Sequence, residues 1–395
     1  MGIQTGQMRP GSLLCAAGLT LLLLTACASG PGIWRSQLED RGLDLELAYT
    51  AEVFRNTHGG IQTGDSEEYR GDISLFLSLD TRKAGWWHDG DFFVHLQQQH
   101  GDGITRDHVG DFQVLSNIDA DDFAQVSEAW YRHRFPDDQA WVKVGKQDAT
   151  ADFVAPAYGV EFIHSSPGYS PTIPLVTYPD PDWGIAVGAQ VRPWLSLKAG
   201  LYQGRPDGGR AIGNTLDSLH GPMVLLEPGF HYAIGDRAGA LRLGGWWNGD
   251  SFEQLDKNDP SPGEKAESYG WYLTWDQHLW PDGASMDGKG IGVFGQYGWA
   301  PEDRSEAEHY LGAGLSWTGA VPTRDDDALG LGVFHVVFSD EAGFKKDSET
   351  AIELFYRVQL FRWLSIKADV QCIFHPGGSS NPYALPVGLR MDVRY

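Results

Sequence analysis

Glu128, Trp130, Arg132 and Arg134 occupy alternate positions of one short segment, and Lys143 follows in the next. A spacing of two puts a carboxylate, an indole and two guanidinium groups on one face of an extended chain. Arg357, Lys367 with Asp369, and Arg390 repeat the alternation near the C-terminus, and Lys198, Arg242 and Arg394 share it. Such a face offers many donors, some acceptors and a ring, so its chemistry is reversible hydrogen bonding and stacking. Signatures of covalent chemistry are weak by comparison. Gly290-Ile291-Gly292-Val293-Phe294-Gly295 fits a dinucleotide-binding fingerprint, yet it lies inside a strand pattern and opens no helix. There is no H-E-x-x-H or G-x-S-x-G, and the 13 histidines are scattered. Cys372 shares the apolar parity of Leu364, Ile366, Ala368 and Val370, which suits packing rather than attack. No enzyme, cofactor or metal site is expected.

The elements that position these residues are strands. Past residue 40 the pattern has period two: Leu43, Leu45, Leu47, Tyr49, Ala51 and Val53 alternate with Asp44, Glu46, Thr50 and Glu52. Sixteen such segments are predicted, at about 43–55, 69–80, 91–99, 124–135, 140–148, 183–192, 195–203, 226–233, 240–248, 268–278, 289–299, 309–318, 328–338, 349–360, 363–374 and 385–395. Short links (Pro136 to Gln139, Pro193-Trp194, Ile234 to Gly239, Phe361-Arg362) contrast with long ones (100–123, 149–182, 204–225, 249–267). An all-β transmembrane antiparallel barrel has this asymmetry, with tight periplasmic turns and long external loops. Lipid cannot satisfy backbone N–H and C=O groups, so such a sheet must close, oily face outward and polar face around water. A soluble sandwich would turn the oily face inward. Trp86-Trp87, Trp246-Trp247, Trp271, Trp275, Trp299 and Trp363 fall near strand ends, as an interfacial girdle requires. The longest connection, Ala149 to Asp182, carries Phe153, Phe162, Pro171 and Pro174. Folded into the barrel it would set a constriction, with Glu161, His164 and Tyr169 as polar contacts; packing against the wall is the other reading.

With 30 Lys+Arg against 53 Asp+Glu, the net charge of −23 excludes a general nucleic-acid binder. The acid concentrates in connections such as Asp119-Ala120-Asp121-Asp122 and Asp325-Asp326-Asp327, whereas the polar strand parity is basic. Residues 1–28 read as a signal peptide: Arg9, an apolar run from Leu13 to Leu24, then Ala26-Cys27-Ala28 as a cleavage site. Leu24-Thr25-Ala26-Cys27 also fits a lipobox, which would make Cys27 a lipidated N-terminus. Residues 29–395 then form a single domain with Cys372 as its only unmodified thiol, so no internal disulfide forms.

Several short motifs, in order, resemble one family. Arg41-Gly42-Leu43 opens the first strand, Glu128-Ala129-Trp130 precedes Val144-Gly145-Lys146, and Ser165-Ser166-Pro167-Gly168 sits in the long loop. Glu353 and Tyr356 lead to Asp369-Val370-Gln371, His375-Pro376-Gly377-Gly378 and Gly388-Leu389-Arg390. Together, from about Trp34 to Tyr395, the chain resembles the OprB-type carbohydrate-selective porins. The resemblance implies a 16-stranded outer-membrane porin of a Gram-negative bacterium, passing glucose and related small neutral sugars through an arginine-rich constriction. Outer-membrane lipid is then a partner, and fold analogy adds a homotrimer. Two alternatives stay open: an outer-membrane polysaccharide export channel, whose lumen would also be basic for an acidic polymer, and a soluble sugar-binding or hydrolytic β-domain anchored by lipid at Cys27.

Overall fold

The computed structural model describes residues 33–135, 139–205, 221–259, 261, 263–280 and 289–395. The leader over 1–28, Cys27 and the turn at Pro136 lie outside the described residues. A short helix, α1 (Ile33–Asp40), leads into β1 (Leu43–Gly59), β2 (Glu67–Asp80), β3 (Gly90–Gly101), β4 (Phe123–Arg134) and β5 (Ala140–Gln147). There follow β6 (Asp182–Arg192), β7 (Leu195–Gln203), β8 (Pro222–Ile234), β9 (Arg237–Asn248), then two short strands, β10 (Phe252–Glu253) and β11 (Glu264–Lys265). The chain closes with β12 (Ser268–Trp280), β13 (Gly290–Trp299), β14 (Ala307–Thr318), β15 (Ala328–Phe338), β16 (Ser348–Phe361), β17 (Leu364–Phe374) and β18 (Tyr383–Arg394).

Apart from β10 and β11, which pair as a separate small hairpin, every strand bonds antiparallel to its neighbours and β18 returns to β1, giving a closed barrel of sixteen strands. The predicted strands all appear, with ends shifted by a few residues; the hairpin inside the 249–267 connection escaped the periodicity because each of its strands has only two residues. Val53, Leu226, Leu331 and Leu389 typify an exposed apolar outer face, and closure leaves no strand edge to water or lipid. Cys372 lies on that outer parity opposite Ile352, half-buried as expected.

Trp87, Trp194 and Trp280 are exposed at the turn end, and Trp247, Tyr269 and Trp271 at the loop end. Trp246 departs from the girdle expectation. It is 4% exposed and packs inside with Phe153 and Tyr272, because adjacent strand residues point to opposite faces and only one of the Trp246-Trp247 pair can meet lipid.

The expected water-filled polar interior is corrected on one side of the barrel, along β13 to β16. Phe294, Tyr310, Phe334 and Phe355 point inward and form a dry core with Phe162 of the long loop; Phe162 meets the three phenylalanine rings edge-on at centroid distances of 5.1–5.6 Å. Inward glycines make the room. A Cβ at Gly292 would lie 2.0 Å from the Tyr158 ring, and one at Gly332 2.6 Å from Phe162. The G-x-G-x-x-G segment is therefore a socket for an aromatic ring. Gly292→Leu is expected to push Tyr158 out and destabilise the barrel by about 1–3 kcal/mol, read from urea unfolding in detergent.

Candidate functional site

Register decides which charges meet. Arg357 on β16 stands opposite Lys367 on β17, Lys367 opposite Arg390 on β18, Arg390 opposite Glu52 on β1, and Glu52 opposite Arg70 on β2. One row thus crosses five adjacent strands. Its like charges are offset by carboxylates: Glu52 Oε2 accepts from Arg390 Nη2 at 2.7 Å and Nε at 3.0 Å, and Glu161 lies 3.0 Å from Arg357 and 3.4 Å from Lys367. Burial alone would raise the Glu161 carboxyl, but the charges of Lys367 and Arg357 outweigh it and hold it below the usual range.

Two loops fold inward onto this row. Loop 102–122 brings Ser116 and Asn117 to Arg390, at 3.1 and 2.9 Å, and its Asp119 pairs with Arg70 at 3.4 Å. Loop 148–181 runs alongside: Asn117 N–H donates to the Ile163 carbonyl and Ser165 N–H to Val114. Wall carboxylates grip the loop backbones. Glu353 accepts from the N–H groups of Ile163 (2.7 Å) and His164 (3.0 Å), Glu349 from Phe112 and Gln113, Asp276 from Tyr158, Glu227 from Val154 and Glu128 from Asp148. Each buried N–H thus has an acceptor that it could not find in sheet pairing.

Cavities lie on both sides of the crossed loops. On the turn side, about 510 Å³ is lined by Arg357, Lys367, Arg390, Glu161, Asn117 and Asp392. On the loop side, about 410 Å³ is lined by Asn117, Asp119, Asp148, Tyr169, Tyr178 and Asp180, without a cation. Asn117 borders both, so the loops form a narrowing between an acidic outer and a basic inner vestibule.

Glu128, Trp130, Arg132, Arg134 and Lys143 form a second group on β4 and β5, separated from the Arg70 end of the row by β3. Trp130 stacks on Phe93 across the strands, with centroids 4.8 Å apart, and the Arg132 and Lys143 cations lie 5.6 and 5.3 Å from its ring. Its indole N–H donates to Glu128. Asp91 pairs with Arg134 at 2.9 Å and approaches Arg132 at 3.5 Å, while Lys143 meets Asp152. A cavity of about 590 Å³ borders Phe93, Trp130, Arg132, Asp91 and, from α1, Arg35 and Glu39.

Three residues selected from the sequence are placed less openly. His164 is 1% exposed, stacked on Phe334, and burial drives its pKa down to about 3, so it stays neutral. It serves packing, the second reading of the loop. Asp369 is buried under loop 102–122 beside Gln371, whose amide holds the Leu115 carbonyl. Tyr169 borders the outer cavity. The parity argument did not single out Arg70, Glu227, Asp276 or Glu349, and the sequence placed Glu52 on the polar face and Glu353 in a motif without giving either a role in the site. All of them sit on the polar parity, but their loop partners are remote in sequence, so only the alternation itself could have signalled them.

A closed sixteen-stranded barrel with an apolar outer belt and a loop narrowing defines an outer-membrane porin, a channel class rather than an enzyme class. Residues 66–395 match the description "Carbohydrate-selective porin, OprB family", and the chain belongs to that family. It is 20% identical to Porin B of Pseudomonas aeruginosa, over 91% of this chain and 88% of that protein. Among solved structures, the high-pH form of Pseudomonas putida OprB superposes with a TM-score of 0.82 at 20% identity, covering 92% of this chain and 97% of the other. The outer-membrane channel DcaP of Acinetobacter baumannii gives 0.52 at 11% identity, covering 90% and 98%. The protein is an outer-membrane carbohydrate porin of a Gram-negative bacterium, and the reading as a soluble anchored β-domain falls with the closed, oily-faced barrel.

Proposed function

We propose that the channel passes glucose and related small neutral sugars by passive diffusion, along the inner vestibule between the Arg357–Lys367–Arg390 row and the Trp130 group. The observation that carries this reading is the pairing of nearly every wall cation with a carboxylate around the narrowing. A hydroxyl both donates and accepts, so a sugar can exchange bonds with ammonium, guanidinium and carboxylate in turn. An anion finds the cations already engaged, which disfavours export of an acidic polymer. Trp130 supplies a ring for the apolar side of a pyranose. Contacts must stay weak for release, and no covalent step or cofactor belongs to the proposal.

Liposome swelling tests it: glucose should enter faster than a disaccharide and faster than an uncharged solute of matched size. Equal rates for the matched solutes would sink selectivity. Trp130→Ala is expected to lower the glucose rate roughly fivefold, from loss of about 1 kcal/mol of ring contact, with little change in ion conductance. Export is assigned to residues 1–28, with Cys27 as the acylation point if the lipobox is used; the mass of the mature N-terminus decides. Outer-membrane lipid is the partner that the exposed apolar belt supports, and a homotrimer is proposed from fold analogy alone, tested by the mass of the detergent-extracted particle.

A further inference from the structure

Asp111, in loop 102–122, is 6% exposed, and neither of its carboxylate oxygens has a hydrogen-bond partner. The hydroxyl of Thr105 lies beside it and acts on its carboxylate, and the hydroxyl oxygen is buried with no other partner. Glu349 of β16 is fully buried against the same loop, its oxygens accepting from the N–H groups of Phe112 (2.8 Å), Gln113 (3.0 Å) and Gly377 (2.6 Å) and from the Gln113 amide (3.2 Å). The charged groups acting on Asp111 are Glu349 and Asp119, both negative; among the described residues no lysine or arginine pairs with Asp111 or Glu349. Two carboxylates removed from water without a counter-charge are strongly unfavourable. Burial, reinforced by the charge of Glu349, pushes the Asp111 carboxyl well above its ordinary range.

We propose that Asp111 and Thr105, backed by the charge of Glu349, bind a hard divalent cation, Ca²⁺, from the external medium. The donors with no other partner are all oxygens, the ligand type such an ion takes. An entry route is present. A cavity of about 510 Å³ reaches Thr105 and is lined by Glu68, Asp102, Asp107, Asp119, Asp121 and Asp122 against Arg70 and Arg106. Acidic walls of this kind concentrate cations. The bound ion would fix loop 102–122 where it meets both β16 and the last external loop, whose Gly377 passes so close that a Cβ would lie 2.4 Å from the Gly110 carbonyl oxygen. Divalent ions would then hold the narrowing in place, whichever solute the channel conducts.

The experiment is calorimetric titration of CaCl₂ into the full mature chain in detergent micelles near neutral pH, after dialysis against chelator, with thermal unfolding recorded in parallel. One site per chain is expected, with a dissociation constant of ~10⁻⁴–10⁻³ M, as for other extracellular calcium modules, and a higher Tm with Ca²⁺. Asp111→Asn, which carries the shape of the neutral acid, should weaken binding at least about tenfold and abolish the Tm response; Asp325→Asn, exposed in the link between β14 and β15 and outside the entry route, should leave both unchanged. If Asp111→Asn does not give the heat-modifiable folded band, Thr105→Val, expected to weaken binding severalfold, takes its place. Three results would overturn the proposal: no saturable binding by the wild-type protein at millimolar Ca²⁺, undiminished binding by the folded variants, or a wild-type Tm that rises on acidification and ignores Ca²⁺, which would show that a proton neutralises the pair.

Discussion

Arg390→Ala should lower the unfolding free energy by about 3–5 kcal/mol, the cost of leaving a buried carboxylate without its partner. Glu52 and Arg390 are 5% and 6% exposed and face each other across the β1–β18 seam that closes the barrel. The guanidinium also holds Ser116 and Asn117 of loop 102–122, so its loss unties the narrowing as well as the seam. Urea unfolding measures the first effect; faster disaccharide entry into liposomes measures the second. Glu52→Gln combined with Arg390→Gln should recover much of the stability, since no buried charge then remains unpaired, without restoring the narrow passage. Equal stability of Arg390→Ala and wild type would mean that water reaches Glu52 and that the pair contributes little.

Glu353→Ala should free the long loop. The carboxylate accepts from the backbone N–H groups of Ile163 and His164, both residues fully buried, and each orphaned donor costs about 1–3 kcal/mol. Removing the charge also relieves Asp369 of a like neighbour, which offsets part of the loss, so the net destabilisation should fall in the lower half of that sum. Hydrogen exchange is the sharper readout: amides over residues 160–166 should exchange faster while those of β12 to β15 stay protected. Glu353→Gln keeps one acceptor oxygen and should lie between the two. Unchanged protection of the loop in Glu353→Ala would show that the Phe162 core alone holds it.

The two variants probe features of different legibility. Period-two alternation revealed the strands, their order and their outward face, because each strand's pattern is local and lipid demands the same alternation from all of them. Length and composition likewise marked loop 149–182 as an inward-packing segment, and Phe162 does pack inward. The inward face of β13 to β15 was not legible in the same way. Phe294, Phe334 and Gly292 break the polar rule because a loop that begins over a hundred residues earlier fills that half of the lumen.

The candidate site divides along the same line. Arg357, Lys367 and Arg390 were visible as polar-parity cations, whereas their alignment into one row with Glu52 and Arg70 depends on the pairing register of five strands, which alternation does not specify. His164 illustrates the converse, a polar side chain in the right loop that the fold buries against Phe334. By itself the sequence determined a closed sixteen-stranded barrel, because the number and parity of its strands are local properties enforced by the bilayer. Only the tertiary structure decided where the barrel narrows and which charges face each other there, because buried carboxylates far apart in sequence choose their loop partners by unmet hydrogen bonds rather than by spacing.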